Sequence, residues 1–245
     1  NAEKSSSGCW YSLFGLTLLK LMTCFFVVIG GWIFTLCCHE FSHAYVAYLG
    51  GDHTVKDKGY LTFNPFKYAH PFFSLFLPVL ILLMGRIALP GGAVYIRTDL
   101  LRSRFWRSAT VLAGPLSNFL LAILLSLPFW AGYITPLDRS ELAYSLAVLV
   151  NIQVMATVFN MLPIPPLDGF GWIAPWLPEK IQERAKAVAP FSIIVFFVLF
   201  ISYPQFSTPL LKVINEGTQY LGVDLFQVSI GWSAFQKAFG ALIGR

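Results

Sequence analysis

A chain of 245 residues that is 56% hydrophobic, 16% aromatic and only 12% charged, with mean hydropathy +0.66, cannot cover a soluble surface, because soluble domains carry roughly 25% charged residues. That balance excludes a soluble globular domain, a disordered chain and a nucleic-acid binder. The net charge of +5 fits the Lys and Arg that membrane proteins gather in loops on one side.

The first predicted element is a helix through residues 21–49, apolar over its first part and stopped by Gly50-Gly51. Cys24, Cys37 and Cys38 lie in it. With Cys9 they show no C-x-x-C spacing, and they read as small apolar side chains. A charged loop follows. Residues 71–96 are apolar but interrupted by Arg86 and by Pro90-Gly91-Gly92. Their helical part, 72–85, is too short to cross a bilayer, and a β-branched and aromatic run follows it. The expectation is a re-entrant element, a short helix in and a strand back out near Ala93–Ile96, packed inside the bundle because irregular backbone cannot face lipid. Residues 108–137, 142–167 and 187–211 carry no charge and predict three more spans. At the C-terminus Val228, Trp232, Phe235, Phe239 and Leu242 share one helical stripe, with Gln227, Gln236 and Lys237 elsewhere, which predicts an amphipathic interfacial helix. The fold class is therefore an all-α polytopic membrane protein with about four transmembrane helices plus the re-entrant helix/β element. Its expected parts are an N-terminal segment 1–19, a membrane core 20–205 and an interfacial segment 206–245.

The chemistry is carried by His39-Glu40-Phe41-Ser42-His43, an H-E-x-x-H sequence. Residues four apart share a helix face, so His39 and His43 present two imidazoles to one metal ion. Glu40 is placed to take a proton from water at that ion. Ionisable groups in a spanning helix are costly, which argues against two incidental histidines. A catalytic zinc needs a third protein ligand. Asp168 closes the proline-broken run Asn160-Met161-Leu162-Pro163-Ile164-Pro165-Pro166-Leu167-Asp168-Gly169, although Asp-Gly is also an ordinary turn pair. Glu141, Glu179 and Glu183 are the rivals, in more polar loops.

These blocks, together with Ala113-Gly114-Pro115-Leu116-Ser117-Asn118, resemble the site-2 protease family of intramembrane zinc metalloproteases. They follow its H-E-x-x-H, A-G-P-x-x-N and N-x-x-P-x-P-x-x-D-G order across residues 20–175. Gly51-Asp52-His53-Thr54 through Asn64-Pro65 resembles a loop of one compact branch, and the loop 97–107 leaves no room for a PDZ domain. The resemblance implies one Zn2+ per chain held by His39, His43 and Asp168. It implies Glu40 as catalytic base and Asn160 as the residue serving the substrate carbonyl or oxyanion. The implied partners are a transmembrane protein substrate and the lipid bilayer. The alternatives are a catalytically silent scaffold or chaperone, and a membrane zinc protease with a Glu third ligand. Tyr68-Ala69-His70-Pro71 and Leu89 to Ile96 depart from the family pattern. Asn118 reads as a cross-helix bond, and His53 and His70 as loop residues.

If Asp168 joins His39 and His43, both helix ends lie on one side. An even number of crossings then separates them, so 71–96 does not cross. The site side then carries more Lys and Arg than the far side. That bias predicts a mouth toward the cytosol of a bacterium, or the stroma or matrix of an organelle.

Overall fold

The computed structural model describes residues 3–67 and 94–244, with side chains from residue 19 onward. Eight α-helices occur among the described residues. Helix α1 runs unbroken from Glu3 to Gly50, a 48-residue rod. It ends where Gly51 adopts φ +119° and the Asp52 N–H turns back to the Ala47 carbonyl at 3.0 Å. The short α2, Thr54–Asp57, lies against that end. Helix α3, Arg104–Trp130, is capped by Ser103, whose side chain accepts the Trp106 N–H. Helix α4, Glu141–Asn160, is capped by Ser140 accepting the Ala143 N–H. Then follow α5, Asp168–Ile173; α6, Glu179–Ser202; α7, Pro204–Tyr220; and α8, Leu225–Leu242.

Four of these helices are long and apolar enough to cross a membrane, with their spans at 19–50, 104–130, 141–160 and 179–202. The molecule is an all-α polytopic membrane protein. Helix α4 is its centre and packs against α1, α3, α7 and α8. Small residues make the contacts close: Leu149 of α4 fills the space a side chain at Gly31 would need. Buried polar pairs fix the helices laterally. Gln153 donates to the Thr35 hydroxyl at 2.8 Å, and Asn151 donates to the Thr218 hydroxyl at 3.1 Å. Lys20 pairs with Glu141 at 3.4 Å, so the start of α4 lies beside the early part of α1. Nineteen positions separate Lys20 from His39, and nineteen separate Glu141 from Asn160. At 1.5 Å per residue each is about 28 Å, so both helices climb together to the same level.

Most of the expected re-entrant element falls on residues 68–93, outside the described residues. The flanks of that stretch are described. The Arg102 N–H donates to the Gly50 carbonyl at 3.0 Å, and Leu101 is buried with Ala44, Ala47 and Val55. The chain therefore leaves the end of α1 and returns to it. Residues 94–97 are irregular backbone with no strand pairing among the described residues, unlike the expected strand. The Val94 and Arg97 N–H groups go to the side chains of Glu40 on α1 and Asp52 just beyond it.

Of the C-terminal stripe, Val228, Trp232 and Phe235 are buried and Leu242 is exposed; α8 packs along α1 and α4, with Phe235 stacked on Phe25 at 5.2 Å. Gln227 is buried too, and it donates to the carbonyls of Thr135 and Asp138. An apolar stripe has the same sequence pattern whether lipid or another helix covers it.

Candidate metal centre

Helix geometry and three close approaches build the site. His39 and His43 project from one face of α1 into the bundle, both buried. Opposite them on α3, Gly114 leaves room: a Cβ there would stand 2.3 Å from Nε2 of His43 and 2.6 Å from Cε1 of His39. Asp168 arrives at the first turn of α5, after the turn that follows α4. Gly169 lets that turn close. A Cβ on it would meet the Met161 carbonyl oxygen at 2.3 Å and the Leu162 carbonyl oxygen at 2.5 Å. The Asp-Gly pair is thus a site element as well as a turn.

Among the described residues, His39, His43 and Asp168 form the one set of His, Cys, Asp or Glu ligand atoms gathered closely enough to share an ion. Nε2 of His39 lies 3.0 Å from Nε2 of His43, and these nitrogens lie 3.3 and 3.5 Å from Oδ2 of Asp168. Tetrahedral zinc with bonds near 2.0–2.1 Å spaces its ligand atoms about 3.3 Å apart. The donor set and the triangle therefore fit zinc. The imidazoles are also oriented for it. Nδ1 of His43 donates to the Thr110 carbonyl at 2.8 Å, which leaves the Nε2 lone pair facing the triangle. The Asn118 amide nitrogen lies 3.0 Å from Nδ1 of His39. Nitrogen and oxygen of an amide exchange places by a 180° flip, and the flipped amide accepts the Nδ1–H and exposes Nε2 in the same way.

Glu40 is buried one position along from His39 and lies outside the triangle. Its Oε2 accepts the Val94 N–H at 3.1 Å. Asn160 is buried at the last position of α4, next to the turn that packs on Gly169. Of the rival ligands, Glu141 is engaged with Lys20 far from the site, and Glu179 and Glu183 lie in the first turns of α6, outside the cluster. His53 packs edge-on against Tyr48, and His70 lies outside the described residues. Thr110 acts through its backbone carbonyl and leaves no residue-type signal. The Val94 N–H stands out in the sequence as a backbone donor for an extended substrate, and in the structure its partner is Glu40. Sequence reading found Asn118 without its target.

No family model and no solved structure matches the chain. The comparison with curated proteins gives relatives that are zinc metalloproteases by name. One is Rip2 of Mycolicibacterium smegmatis, 38% identical over 237 residues, covering 92% of this chain and 88% of the relative. Another is Rip2 of Mycobacterium tuberculosis, 40% identical over 178 residues, covering 73% and 68%. A third is YwhC of Bacillus subtilis, 29% identical over 201 residues, covering 76% and 84%. The chain belongs to the site-2 protease family. Zinc is the cofactor that the relatives' names and the His39–His43–Asp168 group both indicate.

Proposed function

We propose that the chain is an intramembrane zinc endopeptidase that hydrolyses a peptide bond within or near the transmembrane helix of another protein. One observation carries this reading: His39, His43 and the buried Glu40 lie within the length of α1, about 10–16 Å before its end at the 1.5 Å rise of a helix, and Asp168 meets the two histidines there. Zinc held there supplies Lewis acidity to the scissile carbonyl and acidifies water. Glu40 takes the proton at a carboxylate oxygen and passes it to the leaving nitrogen. Asn160 donates its side-chain N–H to the carbonyl oxygen as negative charge develops there. His39, His43 and Asp168 hold the metal. The substrate must be locally unwound, because a helix hides its carbonyls in internal hydrogen bonds. An apolar cavity of about 300 Å³ between α1 and α3, lined by Phe41, Phe63, Leu120 and Leu124 among others, gives room for an apolar substrate side chain. Lys56, Lys58, Lys67, Arg97, Arg102 and Arg104 cluster around the end of α1 and the start of α3, which orients that end toward the cytosol, stroma or matrix.

The test is cleavage of a model transmembrane substrate in proteoliposomes, with zinc content measured alongside. Glu40→Gln retains zinc and loses cleavage by about 10²–10⁴-fold, the usual contribution of a general base. Cleavage at the wild-type rate in Glu40→Gln would remove the metalloprotease reading.

A further inference from the structure

Residues 94–97 are held at three points by groups on α1 and the loop after it. The Val94 N–H donates to Oε2 of Glu40 at 3.1 Å. The Tyr95 carbonyl accepts from the Lys58 ammonium at 3.1 Å, and that ammonium also sits 4.4 Å over the Tyr95 ring. The Arg97 N–H donates to Oδ2 of Asp52 at 2.7 Å. Between these points Val94 and Ile96 pack on the cluster formed by Ala44, Ala47, Val55 and Leu101. Asp52 is wholly buried, and its other oxygen is committed as well. Oδ1 accepts the Thr54 N–H at 3.0 Å and the Thr54 hydroxyl at 2.6 Å.

A buried carboxylate is expensive unless every oxygen is served. The local turn at Thr54 serves one oxygen, and the other reaches across 45 residues to a backbone N–H. A two-oxygen group that joins a local turn to a distant strap fixes the register of that strap. The strap is short: three residues of extended chain span about 10 Å. Holding Arg97 therefore determines where the Val94 N–H falls, and it falls on Glu40. A carboxylate with one oxygen occupied by a fixed donor has lost its freedom to rotate, and its second oxygen is aimed.

We propose that Asp52 is a positioning residue for proton transfer, which sets the 94–97 strap so that the Val94 N–H holds Glu40 in its working orientation. The inference rests on the assignment of Glu40 as the base. Asp52 touches neither metal nor substrate, so its effect passes through backbone.

The experiment uses the full chain in proteoliposomes with a model transmembrane substrate, reading kcat, KM, zinc content and melting temperature. Asp52→Asn keeps the side-chain volume but has one acceptor oxygen for two sets of donors. Val94→Pro removes the N–H, and Val94→Ala keeps it. Asp52→Asn and Val94→Pro each lower kcat by about 10- to 100-fold, the scale of a small misplacement of a catalytic group, with KM and zinc content unchanged. Val94→Ala, which keeps the N–H, loses less kcat than Val94→Pro. The double variant is no slower than the slower single variant, because both changes release the same group. If Val94→Pro does not hold zinc, Arg97→Pro, which removes the N–H that Asp52 holds, takes its place in the cycle. Multiplying losses in the double variant, losses in KM in place of kcat, loss of zinc in Asp52→Asn, or wild-type kcat in Asp52→Asn would each overturn the inference. Wild-type cleavage by Glu40→Gln would instead remove the base assignment beneath it.

Discussion

An imidazole binds metal through one nitrogen only if the other is fixed, and here the two histidines are fixed differently. His43 is oriented by a main-chain carbonyl, at Thr110, which no side-chain substitution removes. His39 relies on the Asn118 amide. Asn118→Ala is therefore expected to weaken zinc binding by about 10–100-fold, the usual cost of losing an outer partner, measured by competition with a chromogenic chelator. Asp168→Ala should strip the metal in the same assay, whereas Glu179→Ala should leave it bound, since Glu179 lies outside the ligand cluster. Retained zinc in Asp168→Ala would break the ligand assignment. H-E-x-x-H makes His39 and His43 legible because its spacing is the pitch of the helix itself. Asn118 was visible as a polar residue in an apolar run, but its partner is 79 positions away, and no local pattern carries that distance.

Helices show the same divide between period and partner. The spans of α1, α3 and α4 follow from unbroken apolar length, which the bilayer requires and a sequence displays. What covers an apolar face does not follow. The stripe on α8 predicts an interfacial helix, and within it Trp232 and Phe235 are enclosed by the chain's own helices while Leu242 is exposed. Phe235→Ala should accordingly destabilise the protein by about 3–5 kcal/mol, the range for emptying an aromatic site in a packed core, measured by reversible unfolding in mixed micelles. A change near zero would return the stripe to lipid. The flanks of residues 68–93 support a second expectation. Lys67 lies in a short turn packed against α1, and the Arg102 N–H is bonded to the Gly50 carbonyl. Single cysteines at 67 and 102, in a cysteine-free background, should label from the same side of a sealed vesicle. Labelling from opposite sides would refute the even-crossing topology.

The metal centre joins parts of the molecule that are distant in the chain. α1 carries two of the proposed ligands, the start of α5 carries the third, and α3 contributes the Gly114 gap and both imidazole partners. A zinc ion there cross-links the bundle at one level and stabilises it by mass action, by about 2.7 kcal/mol at a hundredfold excess over Kd. Chelation should lower the melting temperature of the wild type and leave that of Asp168→Ala unchanged. An equal response in the two proteins would show that zinc stabilises some other part of the structure.

The amino-acid sequence by itself determined the membrane class, the long spans, the H-E-x-x-H pair and the family, because each rests on local spacing or on composition. It also pointed to Asp168, through the requirement that a catalytic zinc have a third ligand and through the family's motif order. Tertiary structure alone decided the rest: that Asp168 and not Glu141, Glu179 or Glu183 reaches the histidines, that Gly114 is the gap into which they fit, and that Val228, Trp232 and Phe235 of α8 are covered by the chain's own helices. It also decided that the Val94 N–H belongs to Glu40 and the Arg97 N–H to Asp52. The physical reason is common to all of these. A backbone donor has no residue-type signature, a glycine does not name the side chain it makes room for, and a contact between segments tens of positions apart exists only once the chain has closed around it.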